Sequence, residues 1–252
     1  MAGHSKWKGI KHKKAIADAQ RGKAFSKVVR EITAAARLGG GSPEANPRLR
    51  LAIQKSREVN LPKDSLDKAI KRGTGELEGQ AFEEMTIEGY GPGGVAVLVE
   101  LLSDNKNRTS AEIRSLFAKH EGNLAGAGSV SWLFHKKGLI LLGAKGLDQD
   151  RLMEAALEAG AEDLTVDGDQ ATVTTPVQSF EAVKLALQQA GFSPESAELT
   201  MVPSSTVHVG DPAKARVLLA LLDTLEDQED SQHVYANFDI PDALLAEHSA
   251  SA

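Results

Sequence analysis

Residues 85–102 read MTIEGYGPGGVAVLVELL and mark a change from helix-forming to strand-forming sequence. Two short segments, residues 85–90 and 95–102, contain apolar and β-branched side chains and are joined by Gly-Pro-Gly-Gly at residues 91–94. Such segments separated by glycine and proline are typical of a β-hairpin, which we predict here. The glycine-rich loop is a poor candidate for a phosphate-binding loop, because a strand and not a helix N-terminus follows it.

Three segments before the hairpin have the spacing of amphipathic helices. Residues 15–38, 46–59 and 62–73 each repeat apolar side chains at helical intervals, and Gly73 is predicted to end the third helix. In the first helix a narrow cationic stripe lies opposite the apolar face and consists of Lys23, Lys27, Arg30 and Arg37. These patterns predict a basic three-helix domain.

The segments after the hairpin predict a mixed α and β structure. A helix is expected to open with a capping box formed by Thr109 and Glu112, and a strand is expected at residues 129–134. Residues 139–202 then alternate in the order βαββαβ, which indicates a ferredoxin-like unit with its helices on one face of the sheet.

The tail is predicted to complete the hairpin domain. It supplies a strand at residues 206–209, a helix capped by Asp211 and a strand at residues 234–238. The ferredoxin-like unit would therefore be an insertion. The acidic residues of the segment 223–230 are interpreted as a solvated helix end and loop, since such a run of like charges is typical of a surface and not of a catalytic pair.

These elements predict an α+β fold class. A basic three-helix N-terminal domain precedes two α/β domains, of which one, the ferredoxin-like βαββαβ unit, is inserted in the other. The expected divisions are residues 1–78 for the basic arm and helical domain, 79–134 plus 205–240 for the middle α/β domain, 135–204 for the insertion and 241–252 for the tail.

The charges are distributed unevenly along the chain. Residues 1–75 carry 18 Lys and Arg against 6 Asp and Glu, a net charge of +12, whereas the remainder has 11 basic and 29 acidic residues, a net charge of −18. A basic module joined to an acidic body indicates a protein that binds a polyanion, above all nucleic acid. The alternative is that both parts simply present solvated faces of opposite sign.

The most basic segment is the N-terminal arm, where residues 4–14 place five lysines around Trp7. Lysines at this density favour successive phosphate contacts, while the indole of Trp7 is expected to stack on a base or to pack on the helices that follow. His4 and His12 have no cysteine or acidic residue at ligand spacing, so we expect phosphate contacts and no metal.

Several classes of function are disfavoured by what the sequence lacks. It contains no cysteine, no run of about 18 apolar residues, no His-x-x-His spacing and no Gly-x-Ser-x-Gly motif. We therefore expect a cytoplasmic protein with no membrane span, no cofactor, no bound metal and no enzymatic activity. The expected partners are nucleic acid and, for the acidic domains, a protein.

The arm and several later motifs closely resemble the YebC/PmpR family. The resemblance begins with Gly-His-Ser-Lys-Trp at residues 3–7 and Ile-Lys-His-Lys-Lys at residues 10–14. It continues through Asp18, Arg21-Gly22-Lys23, Phe25-Ser26-Lys27, Arg30-Glu31-Ile32, Asn46-Pro47-Arg48-Leu49-Arg50, Tyr90-Gly91-Pro92-Gly93-Gly94, Asn107-Arg108-Thr109 and Gly128-Ser129-Val130. It implies three domains, no catalysis and a DNA-binding transcriptional regulator. Its mitochondrial branch resembles translational activators, so a ribosome- or RNA-associated translation factor, bound to ribosomal or messenger RNA, is the alternative.

The resemblance also implies which residues bind nucleic acid. Carried over to the matching positions of this sequence, they are Lys6, Trp7, Lys8, Lys11, His12, Lys13, Lys14, Arg21, Lys23, Lys27 and Arg30. Most are cations, which suit the phosphate backbone of DNA or RNA, and phosphate contacts position a protein without reading sequence.

Overall fold

The computed structural model describes residues 18–251, which fall into two compact units. One, here called the helical–hairpin unit, contains residues 18–129 and 211–234. The other, the ferredoxin-like unit, contains residues 130–210 and 235–251. The α+β fold class predicted from the sequence is confirmed.

The helices and strands follow one another in the predicted α-then-mixed order. The first part of the chain forms α1 (Asp18–Gly39), α2 (Pro47–Glu58), α3 (Lys63–Thr74), β1 (Glu83–Gly91), β2 (Val95–Ser103), α4 (Lys106–Lys119) and β3 (Asn123–Leu124). The second part forms β4 (Phe134–Gly143), α5 (Gln149–Glu158), β5 (Asp163–Asp167), β6 (Gln170–Thr175), α6 (Phe180–Gln189), β7 (Ser196–Pro203), β8 (Val207–His208), α7 (Pro212–Asp227), β9 (Ser231–Ala236), β10 (Phe238–Asp239) and α8 (Asp242–Ser251).

Small side chains bring the three N-terminal helices close together. Their buried core consists of Ile32, Ala35, Ala36, Leu49, Ala52 and Ala69. At Gly73, a Cβ atom would lie 2.5 Å from the backbone oxygen of Thr33, so glycine is needed where α3 crosses α1. The prediction that Gly73 ends α3 is therefore wrong. The helix continues to Thr74, and Gly75 caps it in the left-handed conformation, with φ of 85°.

The hairpin predicted from residues 85–102 is confirmed. Strands β1 and β2 pair antiparallel from Glu83 opposite Ser103 to Gly91 opposite Val95, with a short 3₁₀ turn between them. The strand β2 is almost entirely buried, which agrees with its nearly continuous apolar sequence. The four-stranded sheet has the order β3-β1-β2-β9.

The capping box predicted at Thr109 and Glu112 is wrong. The cap of helix α4 lies four residues earlier, where the Asn105 side chain accepts a hydrogen bond of 3.1 Å from the backbone N–H of Arg108. Thr109 is buried inside the helix, and its hydroxyl group lies 2.7 Å from that of Ser103. Asn105 caps the helix equally well from an upstream position, and the Thr109 side chain instead forms buried contacts with Ser103 and Asp230.

The strand predicted at residues 129–134 is also wrong. The chain forms a 3₁₀ turn at Ser131–Leu133, and β4 begins only at Phe134. Val130 and Leu133 are buried while Trp132 is 65% exposed. The apolar character of this segment therefore comes from a turn that buries side chains on both sides of an exposed tryptophan, and not from a pleated strand.

The ferredoxin-like βαββαβ unit is confirmed in its order of elements and in its sheet. Strands lie in the order β5-β6-β4-β7, and every neighbouring pair is antiparallel. Alternate residues of the central strands, such as Ile140, Leu142 and Val173, share one buried cluster with Leu152 and Val183 of the two helices. Because side chains alternate across a strand, α5 and α6 cover the same face of the sheet.

Only one of the two strands predicted in the tail joins the hairpin sheet. The strand expected at residues 234–238 is β9, which lies beside β2. The strand expected at residues 206–209 is β8, which pairs in parallel with β10 in a separate two-stranded sheet. The division into three domains at residues 78, 134 and 204 stays a prediction. Within residues 18–251, no helix is long and apolar enough to cross a membrane.

Candidate nucleic-acid interface

Three of the predicted nucleic-acid-binding residues lie where the structure describes their side chains. Lys23, Lys27 and Arg30, three of the four residues of the predicted cationic stripe, follow at intervals of four and three residues on α1 and are here called the α1 stripe; the fourth, Arg37, lies in the last turn of the helix. The backbone of Arg21 lies in the same helix, but its side chain is outside the described part. The remaining predicted residues precede Asp18 and are also outside it, and they are Lys6, Trp7, Lys8, Lys11, His12, Lys13 and Lys14.

The α1 stripe contacts the end of α7 and the chain that follows it, residues 226–230, here called the acidic segment. The Nζ atom of Lys23 lies 3.0 Å from the carboxylate of Asp227. Lys27 donates a hydrogen bond to the backbone oxygen of Glu226. The first two cations of the stripe are thus held by a carboxylate and by a carbonyl oxygen near the C-terminus of α7, where a helix dipole favours positive charge.

Arg30 makes the closest contacts between the stripe and the acidic segment. Its guanidinium group lies 2.5 Å from the carboxylate of Glu229 and 3.1 Å from that of Asp230, and it donates to the backbone oxygen of Glu229. It also lies 5.4 Å from the centre of the Phe82 ring, within range of a cation–π contact. Only 9% of Arg30 is exposed, so this cation is mostly withdrawn from solvent.

Asp230 connects α1 to α4. Besides contacting Arg30, its carboxylate accepts hydrogen bonds from Arg108, at 3.0 Å, and from the Thr109 hydroxyl group. Burial by itself raises the pKa of Asp230, but the hydrogen bonds from Thr109 and Arg108 and the positive charge of Arg30 hold that pKa below its ordinary value. Asp230 therefore remains ionised at neutral pH, although it is only 1% exposed.

The interpretation of residues 223–230 as a solvated surface run is thus wrong for its last part. Asp230 is buried, and Asp227 and Glu229 bind cations of α1. The sequence contains one signal of this pairing. If the regularly spaced cations of the α1 stripe pack against another part of the chain, that part must be anionic. The sequence does not indicate which segment, because the partners lie about 200 residues away along the chain.

One basic side chain of α2 is also paired with carboxylates. Arg48 of α2 is held by the carboxylate of Glu31, at 2.8 Å and 3.0 Å, and by that of Glu84. These contacts join α2 to α1 and to the start of β1. Arg48 therefore acts as a structural cation, and its two-pronged pairing with Glu31 is the stronger kind of charge-assisted contact.

Asn46 fixes the start of α2. Its side-chain oxygen accepts a hydrogen bond of 3.1 Å from the backbone N–H of Leu49, which caps the helix. Its amide nitrogen donates to the backbone oxygens of Ala35 and Gly40, both at 2.8 Å. Gly39 leaves the room that this side chain needs, because a Cβ atom there would lie 2.7 Å from it.

The opposite side of α2 is exposed and basic. Here called the α2 outer face, it consists of Arg50, Leu51, Gln54, Lys55 and Arg57. Among the residues that the structure describes, the side chains of Lys55 and Arg57 contact no acidic group, and Arg50 has only a coulombic interaction with Glu44. The sequence shows these cations, but it does not show that, unlike Lys23 and Arg30 of α1, they form no ion pair with a described residue.

The exposed side of α3 carries both signs of charge. Its cations alternate with Asp64 and Asp67, and Lys68 binds Asp64 at 2.6 Å one turn away. No group of three or more His, Cys, Asp or Glu side chains suited to a metal ion exists among the described residues.

Fold and charge together define a class of protein, an α+β chain whose basic three-helix bundle precedes a hairpin sheet and a ferredoxin-like unit. Two family models match almost the whole chain: "TACO1/YebC protein N-terminal domain" at residues 5–76 and "TACO1/YebC second and third domain" at residues 82–238. The chain belongs to the TACO1/YebC family.

The relatives agree with this assignment over nearly their full lengths. A protein of Geotalea uraniireducens is 55% identical over 95% of this chain and 96% of its own, and one of Syntrophobacter fumaroxidans is 53% identical over 97% and 98%. Both are described as a "Probable transcriptional regulatory protein". The crystal structure of a conserved hypothetical protein from Aquifex aeolicus is 48% identical, covers 89% of this chain and 93% of its own, and superposes with a TM-score of 0.76.

Proposed function

We propose that this protein is a cytoplasmic, non-enzymatic regulator of gene expression that binds DNA through its N-terminal arm and helical bundle. The observation that carries this proposal is the net charge of +12 on residues 1–75, on a chain whose overall charge is −6. The relatives' description as probable transcriptional regulatory proteins supports the same function.

Physical chemistry favours phosphate as the ligand of this basic part. Each cation that neutralises a phosphate group releases a condensed counterion, so affinity grows with the number of cations and falls with salt. The arm residues Lys6, Lys8, Lys11, Lys13 and Lys14, with His12, are proposed as phosphate contacts, and Trp7 as a stacking residue. Arg21 is proposed to extend this surface onto α1.

The α1 stripe contributes to DNA binding in this proposal only if its cations are released from the acidic segment. Lys23, Lys27 and Arg30 are held by the acidic segment, so a phosphate group must displace carboxylates to reach them. Lys23 is about half exposed and its partner Asp227 more so, which makes exchange of that pair easy. Arg30 is mostly buried, and we assign it a structural role.

The proposal is tested by the salt dependence of binding to a labelled DNA duplex, measured by fluorescence anisotropy. We expect log affinity to fall linearly with log salt, with a slope of about −0.9 for each phosphate neutralised. The matched variant replaces the five arm lysines with glutamine and keeps chain length unchanged. We expect it to flatten the slope, while replacement of five acidic residues of the ferredoxin-like unit by amides should not.

The ligand in cells is identified by cross-linking followed by sequencing, with the intact chain and the arm variant compared. Enrichment of promoter DNA that depends on the arm supports a transcriptional regulator. Enrichment of ribosomal or messenger RNA instead would replace DNA as the ligand and contradict this proposal. Absence of salt-dependent binding to any nucleic acid would reject the whole class.

A further inference from the structure

The three helices of the bundle differ in what their cations contact. The α1 stripe is bound to the acidic segment, and α3 interleaves its cations with carboxylates. Helix α2 contains four basic residues and no acidic residue before Glu58, its last residue. Of the described helices in the bundle, α2 therefore presents the most uniformly positive surface to solvent.

The side chains of the α2 outer face are arranged in two ridges. Arg50, Gln54 and Arg57 follow at intervals of four and three residues, and Leu51 and Lys55 lie beside them one turn apart. At 1.5 Å per residue, the two arginines are about 10 Å apart along the helix axis. Leu51 is 57% exposed.

The inner side of the same helix is fixed. Leu49, Ala52 and Ser56 are buried against the bundle, and Asn46 ties the N-terminus of α2 to the end of α1. A surface helix held this firmly loses little backbone entropy when its outer face binds a partner. The combination of a buried inner side and outer cations that form no ion pair with any described residue distinguishes α2 from an ordinary solvated helix.

We infer that the α2 outer face enters the major groove of duplex DNA. This inference rests on the proposed function and locates a contact that the arm does not provide. The major groove of B-DNA is about 12 Å wide and admits an α-helix, whereas that of an RNA duplex is too narrow. Arg50, Lys55 and Arg57 contact phosphate groups at the groove walls. Gln54 and Leu51 lie between them, where an amide pairs with adenine and an apolar group meets a thymine methyl group.

The test uses the full-length protein and two variants that each remove three positive charges. One carries Arg50→Ala, Lys55→Ala and Arg57→Ala on α2, and the other carries Lys63→Ala, Lys68→Ala and Lys71→Ala on α3. All six side chains are exposed. Thermal denaturation is used to check that both variants fold. Affinity for duplex DNA, and for an RNA hairpin of the same length, is measured at several salt concentrations.

We expect the α2 variant to bind duplex DNA at least about tenfold more weakly and to reduce the salt slope by about 2.7, which corresponds to three lost phosphate contacts. The α3 variant should change the slope by much less. Gln54→Ala should leave the slope unchanged and weaken the preference for duplexes that wild-type protein selects from a random pool.

The possible failures are distinguishable. If wild-type protein binds DNA and the two triple variants lose affinity equally, only net charge matters and this inference is rejected, while the proposed function stands. An α2 variant with wild-type affinity rejects it in the same way. A loss confined to the RNA hairpin rejects the duplex groove as the ligand. If wild-type protein binds neither nucleic acid, both this inference and the proposed function fail.

Discussion

Asn46 is the residue on which the orientation of α2 depends, because it is both the cap of that helix and a double donor to α1. Replacing it with aspartate keeps the capping oxygen but removes both N–H donors, which leaves the carbonyl oxygens of Ala35 and Gly40 facing a carboxylate. We expect Asn46→Asp to lower the free energy of unfolding by roughly 2–4 kcal/mol.

Urea denaturation at neutral pH measures this difference. Ser42→Ala is the control, because the Ser42 hydroxyl group forms only an exposed hydrogen bond with Glu44, and its loss should cost under about 0.5 kcal/mol. Equal stability of Asn46→Asp and wild-type protein would show that the two donated hydrogen bonds contribute nothing to the bundle.

Asp230 makes the junction of α1 with α4 sensitive to acid. Its pKa in the folded protein lies below the ordinary value of 3.8, so its contribution to stability is fully present above about pH 5 and is lost as the pH falls through the folded-state pKa. We expect Asp230→Asn to destabilise the protein by roughly 2–4 kcal/mol at neutral pH. The difference from wild-type protein should narrow below about pH 4.

The measurement is a series of denaturation curves from neutral pH to about pH 3, with Glu112→Gln as the control. Glu112 lies 3.9 Å from Arg108 and accepts an exposed hydrogen bond of 2.9 Å from Gln228, and these surface contacts should contribute less than about 1 kcal/mol. A stability difference for Asp230→Asn that stays constant over the whole pH range would mean that the contribution of the Asp230 side chain to stability does not depend on its charge.

At the scale of elements, we expect the acidic segment to compete with nucleic acid for the α1 stripe. The double variant Asp227→Asn with Glu229→Gln removes two carboxylates that face the stripe but keeps the buried Asp230. We expect it to bind duplex DNA roughly two- to fivefold more tightly at moderate salt, because Lys23 then reaches phosphate without breaking an ion pair.

The matched control is Glu154→Gln with Glu158→Gln, which changes the net charge equally on α5 of the ferredoxin-like unit. Anisotropy titrations of both variants decide between a local and a global effect. If the two pairs of substitutions raise affinity equally, the acidic segment has no special relation to the stripe.

Elements were predictable from the sequence where a local pattern decides them. Periodicity placed α2 within one residue of its observed ends at Pro47 and Glu58, and glycine and proline placed the hairpin turn. Prediction was wrong where two local signals compete. Asn105 and Thr109 can both cap α4, and the choice depends on the buried contacts of Thr109 with Ser103 and Asp230.

The candidate site was predictable in composition but not in its pairing. Counting charges indicates a basic domain, yet the sequence does not separate Arg30, which is buried among carboxylates, from Arg57, which is open to solvent. That distinction depends on a contact between α1 and a segment about 200 residues later. No local rule connects positions so far apart.

For the whole molecule, segregation of charge should outweigh net charge in binding to a polyanion. The isoelectric point from the sequence is about 5.7, so the chain is an anion at neutral pH and would be expected to pass through a heparin column. Residues 1–75 nevertheless carry +12, and attraction between charges decays within about 8–10 Å at moderate salt. A surface therefore responds to the nearest charges and not to the sum over the chain.

We accordingly expect the intact protein to be retained on heparin at pH 7.5 and low salt, and also on an anion exchanger, where the acidic remainder binds. Replacing Lys6, Lys8, Lys11, Lys13 and Lys14 with glutamine should lower the salt needed for elution from heparin and raise it on the anion exchanger. The α2 triple variant should shift heparin elution less, because it removes three positive charges whereas the arm variant removes five. If wild-type protein passes through heparin at low salt, the acidic residues cancel the attraction of residues 1–75 for a polyanion. Binding to DNA would then need an explanation other than charge.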